Sequence, residues 1–124
     1  MKAIFYLTVS LGMVGLLLNG VRAQTAETTI IEWTEVEVPF GEAEVGTNAI
    51  NRSGNQITFD AIADSLYVRY NGNCESLMLY TLQLGSLDED LQPEQGTLFS
   101  PDLGWFQASE YQAPILRTAC ALSE

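Results

Sequence analysis

Histidine is absent from this chain, and that removes Ser-His and Cys-His nucleophilic pairs together with imidazole metal sites. Cysteine is nearly absent: only Cys74 and Cys120 are present, too few for a zinc cage. Cations are scarce as well, five lysines and arginines against 16 aspartates and glutamates, for a formal charge of −11. A nucleic acid or an anionic lipid surface would find few neutralising contacts on such a chain. No Gly-rich phosphate loop and no Gly-x-Ser-x-Gly elbow occurs. The longest apolar run, from about Ala3 to Leu18, falls short of the roughly 20 residues a spanning helix needs.

That run belongs instead to a secretory signal. Lys2 precedes it, and Val21 and Ala23 supply the small residues before Gln24, so cleavage is expected after Ala23. No cysteine lies at the junction to accept a lipid, so a lipoprotein is not expected and the product should not stay inserted in a membrane. Residues 24–124 are then expected to form one exported domain of ordinary size. Its only cations are Arg52, Arg69 and Arg117, and the acidity serves solubility. In an exported chain two cysteines most simply pair. A Cys74–Cys120 bridge closes a loop of about 47 residues, worth roughly 4 kcal/mol by chain entropy. A reactive thiol pair would call for a Cys-x-x-Cys motif or a neighbouring cluster of cations, and neither is present.

Along the mature chain the apolar pattern is mostly two-fold. Val36, Val38 and Phe40 alternate with polar residues as a first strand ending at Pro39 and Gly41, and "AEVGTNAI" is a weaker candidate. "NRSGN" suits a hairpin turn between Ile50 and Ile57, after which Ile57, Phe59 and Ala61 alternate with Thr58 and Asp60. In "LYVRYNGNCESLMLYTLQL" the Asn71-Gly72 pair suits a type I′ turn. Tyr70 would then oppose Asn73, and Tyr67, Cys74, Met78, Tyr80, Leu82 and Leu84 would share one face. "GSLDEDLQPEQG" reads as a loop, and "TLFS" and "WFQASEY" as one further strand or two short ones. The tail changes period: Ile115, Leu116, Ala119, Cys120 and Leu122 form one helical stripe, predicting a helix from about Gln112 to Leu122 with Pro114 in its first position. Too short to persist alone in water, it must dock.

Carboxylates are the remaining chemical groups. Glu35, Glu37, Glu42 and Glu44, or Asp88, Glu89, Asp90 and Glu94, could act as acid and base in a hydrolase, although such runs are usually solvated faces and loops. Calcium at "DEDLQPEQG" would need a looser site than the EF-hand, since Pro93 and Phe99 stand where that loop requires glycine and glutamate. No cofactor is implied. Asn51-Arg52-Ser53 is a glycosylation acceptor in a eukaryotic secretory pathway and otherwise only part of the turn. Trp33, Trp105, Phe106 and Tyr111 could be contact residues or core.

Taken in order, Ile50, Arg52, Gly54, Asn55, Ile57, Cys74, Trp105, Ala119 and Cys120 resemble the pattern of the surface-adhesin protein E family, over nearly the whole mature chain. The resemblance implies a bent antiparallel sheet of about six strands with a C-terminal helix bridged to it by the disulfide, an α+β fold, and an envelope location. The family's aspartate and tyrosine before Ile-x-Arg are replaced here by "EVGTNA".

The expected function is a non-enzymatic extracytoplasmic binding domain of the periplasm or cell envelope. The expected contact surface is a second apolar face of Leu66, Val68, Tyr70, Leu77 and Leu79, left open by the helix and satisfied by a protein partner or a second copy. A carboxylate-dependent hydrolase, a calcium module and a secreted inhibitor are the alternatives.

Overall fold

A computed structural model describes residues 29–124, and the expected signal segment 1–23 lies outside the described residues. The chain is built around β4 (Gln56–Ala63), β5 (Leu66–Asn73) and β6 (Met78–Gly85), three antiparallel strands of eight residues each. Alternation is the reason β4 forms: Ile57, Phe59 and Ala61 are buried on one face, while Gln56 and Thr58 take the other. Shorter strands flank this centre. On one side of β4 lie β2 (Ala43–Gly46) and β3 (Asn51–Ser53), pairing with opposite ends of the same strand, and β1 (Trp33–Val36) lies outside β2. Beyond β6 lies β7 (Trp105–Gln107). Seven strands thus make one antiparallel sheet, in the order β1-β2-β4-β5-β6-β7 with β3 beside β4. That is one more than the six expected, because β2 and β3 divide a single edge. Residues 31–124 form one compact unit.

The first strand falls at Trp33–Val36 rather than across Val36 to Phe40, so Val38 and Phe40 belong to the β1–β2 connection. The "NRSGN" turn stands as expected, with Gly54 in the left-handed region at φ 63° between Ser53 and Gln56. The Asn71-Gly72 turn does not form. Both residues lie inside β5, opposite Thr58 and Ile57. The tight turn falls instead at Asp64-Ser65, whose φ values of 55° and 67° are those of a type I′ turn. The β5–β6 connection comes later, at Cys74–Leu77, where the Asn73 side-chain oxygen accepts the N–H groups of Glu75 and Ser76.

Gly72 is spent on packing. A Cβ there would lie 2.6 Å from Leu116 Cδ1 and 3.2 Å from Ile57 Cγ2, so its bare backbone is where the helix rests on the sheet. That helix, α1 (Gln112–Leu122), has the expected bounds. Ile115, Leu116, Ala119 and Cys120 are buried against the sheet, whereas Leu122, the fifth member of the predicted stripe, is exposed. Pro114 is its third residue rather than its first, still within the turn whose N–H groups lack helical acceptors. Ser109 and Gln112 exchange backbone-to-side-chain hydrogen bonds of 3.0 and 3.1 Å, a capping box just ahead of the helix.

Cys74 and Cys120 are bonded, tying the β5–β6 connection to the last turn of α1. Arg52 reinforces this end: its Nη1 donates to the Cys120 carbonyl and to Ser123 Oγ, and its Nε to the Gly54 carbonyl. A cation at a helix C-terminus also meets the negative end of the helix dipole.

Candidate functional site

The register splits the sheet into two unlike faces. Ile57, Gly72, Leu79 and Phe106 form a transverse row across four strands, on the face that α1 covers. One residue further along each strand, Thr58, Asn71, Tyr80 and Trp105 are likewise in register and point to the other face. Thr58 Oγ1 donates to Asn71 Oδ1 at 2.7 Å, and the Tyr80 and Trp105 rings pack at 5.6 Å between centroids with a 59° tilt. With strands about 4.8 Å apart, this ladder spans about 14 Å.

Beside the ladder is a depression of about 180 Å³ lined by Gln56, Asn73, Ser76, Met78 and Trp105. Neither the ladder nor the depression carries a charged side chain. Trp105 is 46% exposed, and its indole N–H, the Tyr80 hydroxyl and the Gln56 amide have no protein partner among the described residues. The other described tryptophan is different: Trp33 is half-buried and its Nε1 donates to the Leu91 carbonyl at 2.8 Å. Gln107 holds the ladder's outer end in place, its amide donating to the Ser76 and Leu77 carbonyls.

The far half of this face is covered. Leu98 sits over Gly85, and Ile31 over Gly46 beside Asp60. Gln92 of the acidic loop holds Ile31 by both its backbone N–H and its carbonyl. Asp60 lies beneath this cover, in the one ion pair found among the described residues, while its partner Arg69 keeps a side chain 43% exposed. Arg69 Nε and Nη2 donate to the two oxygens of the fully buried Asp60 at 2.7 and 3.2 Å, and the Tyr67 hydroxyl donates to Oδ1 at 2.7 Å. Burial, and then the bond to Asp60, push the Tyr67 hydroxyl far above the ordinary tyrosine range. Burial also raises Tyr70. The network satisfies a buried carboxylate and anchors β4 to β5 next to the ladder.

The expected contact face is corrected. Val68, Tyr70 and Leu79 are buried in the same cluster as Ile115 and Leu116, and Leu77 is half-buried against it. Only Leu66 remains open, at 46% exposure. The misplaced Asn71-Gly72 turn is the cause: with the true register, Val68 opposes Leu84 and Tyr70 opposes Thr81, and these residues lie beneath the helix. Phe106 and Tyr111 pack against the core. Tyr111 also donates to the Glu42 carbonyl and accepts from the Asp64 N–H, and Phe40 stacks on its ring.

The two carboxylate groups stay apart in role. Glu35 and Glu44 oppose each other across β1 and β2, a like-charge pair, and with Glu37 and Glu42 they border an open groove of about 510 Å³. Asp88 is a turn former, its Oδ1 accepting the N–H groups of Asp90 and Gln92. No group of three or more His, Cys, Asp or Glu able to hold a metal occurs among the described residues. No helix among them is long and apolar enough to cross a membrane. Thr58, Asn71 and Tyr80 are not among the contact residues expected from the sequence. The signal available was polar residues at every second position of strands whose other face is apolar, at Gln56-Thr58-Asp60 and at Asn71-Asn73.

No family model matches the chain, and no curated protein or solved structure matches it either.

Proposed function

We propose that this is an exported, non-enzymatic binding domain of the extracytoplasmic space, similar in architecture to the surface-adhesin protein E family, and that it meets its ligand through the Thr58–Asn71–Tyr80–Trp105 ladder. The observation that carries this is an exposed tryptophan whose indole N–H is unpartnered, on a rigid sheet whose opposite face is closed by a disulfide-tied helix. An aromatic with a free polar tip is the residue type that dominates binding hot spots. Export is supported by the disulfide, which persists in oxidising compartments, and by the signal-like pattern of residues 1–23. The face on which a protein partner or a second copy was expected is occupied by α1, so the contact surface passes to the ladder.

The test is retention on the envelope fraction of the producing cell. The native protein should co-sediment, and Trp105→Ala with Tyr80→Ala should not, at an unchanged melting temperature. Equal retention of both proteins, or loss of retention in Leu122→Ala on the helix side, would remove the ladder as the site.

A further inference from the structure

Resting on that reading, we infer that the ladder binds an uncharged, gluco-configured glycan chain. Three features of the face select this chemistry. No charged side chain lies in the row or its depression, in a protein of formal charge −11, and the neighbouring cation on β5, Arg69, is already paired with Asp60, so a polyanionic or polycationic ligand would find no unpaired complementary charge in the row. Trp105, the more exposed of its two aromatic rings, lies at one end of the row, tilted 59° to Tyr80, and a gluco-configured pyranose offers such a ring a flat face of C–H groups because its hydroxyls are equatorial. Those hydroxyls project sideways, where the side-chain amides of Gln56 and Asn71 and the hydroxyl of Tyr80 carry unused donors and acceptors.

Shape agrees with chemistry. The depression of about 180 Å³ beside Trp105 is smaller than the roughly 300–1,000 Å³ of pockets that engulf drug-sized ligands, and suits a single ring seated at the end of a chain. The row itself, about 14 Å long, offers an extended track for the following few rings. Its width is set by backbone hydrogen bonding and its floor by the packed core, so little ordering is needed on binding. The Thr58–Asn71 bond fixes the Asn71 amide with its oxygen engaged and its NH₂ group available to a sugar hydroxyl.

The experiment is a nitrogen-15 NMR titration of the protein as its host produces it, disulfide intact, with cellohexaose. The two tryptophan indole signals expected of Trp33 and Trp105 are assigned by their loss in the corresponding variants. The Trp105 signal should shift saturably while that of Trp33, bonded to Leu91, stays in place. Trp105→Ala should weaken binding at least tenfold, and Leu122→Ala should leave it unchanged. A heparin hexasaccharide should shift neither signal. A static Trp105 signal with cellohexaose, or equal affinity in Trp105→Ala, overturns the proposal. A Trp105 shift with heparin alone also overturns it, and in that case envelope retention that still depends on Trp105 leaves the binding-surface reading standing.

Discussion

Replacing Gly72 with alanine tests the fit of helix to sheet by the sign of its effect. At an unstrained site, Gly→Ala stabilises by about 0.4–1 kcal/mol, because it restricts the unfolded chain. At Gly72 the new methyl would stand 2.6 Å from Leu116 Cδ1, 3.2 Å from Ile57 Cγ2 and 3.4 Å from Leu79 Cδ2. All three partners are fully or almost fully buried, so none can turn aside into solvent. Overpacking of this kind costs about 1–3 kcal/mol. Gly72→Ala should therefore destabilise by about 1–2 kcal/mol, lowering the melting temperature by about 4–8 °C for each kcal/mol in a domain of this size. Leu116→Ala alone should cost about 2–5 kcal/mol. In the double variant the added methyl enters the space that Leu116 vacates, and the loss should fall short of the sum by about 1 kcal/mol or more. Urea unfolding followed by near-ultraviolet circular dichroism supplies all four corners of the cycle. If Gly72→Ala is stabilising, or if the two changes add within about 0.5 kcal/mol, close helix approach is not the reason for a glycine at this position.

The disulfide spans a sequence separation of 46, and Cys74→Ser with Cys120→Ser should cost about 4 kcal/mol by loop entropy, read as a lower urea midpoint. Arg52→Ala should cost about 1 kcal/mol by uncapping the C-terminus of α1. Arg52→Lys should recover only part, since an ammonium cannot reproduce the guanidinium fork. Tyr67 is held protonated in the folded state far above its unfolded value. Its contribution to stability is thus complete below pH about 10 and is lost as the pH rises beyond that, because the unfolded chain releases the proton first. Tyr67→Phe should leave the tyrosinate absorbance of the folded protein unchanged and reduce only the increment that accompanies alkaline unfolding. A smaller folded-state signal in the variant would show that Tyr67 ionises within the native structure.

The parts of the fold legible in the sequence are those in which local pattern and tertiary packing agree. Ile57, Phe59 and Ala61 alternate and are buried, and the tail stripe forms a helix between the expected residues. The two cysteines pair. Where local chemistry and packing compete, the sequence misleads. Asn71-Gly72 is the best type I′ pair in the chain by propensity, yet the helix needs that glycine on the sheet floor. Asp64-Ser65, a poorer pair, turns the chain instead. From that displacement the mistaken contact face followed directly. The capping box of Ser109 and Gln112 was readable as Ser-x-x-Gln before an apolar stripe, whereas the ladder was not. Its four residues are far apart in the chain and are brought together only by strand register.

The two transverse rows give this sheet a division of labour at single-residue spacing. Ile57, Gly72, Leu79 and Phe106 answer to the helix, and their immediate neighbours Thr58, Asn71, Tyr80 and Trp105 answer to the outside. On the proposed reading, selection can alter what the outer row recognises without disturbing what the inner row packs, so ligand preference and stability can evolve on separate clocks. The same thinness sets a limit: insertion or loss of one residue within a strand exchanges its two rows there, placing an aliphatic chain in the outer row and an amide under the helix. Variation in a lineage of such proteins should accordingly run through substitutions on the outer row and length changes in the connections, and spare the lengths of β4, β5 and β6.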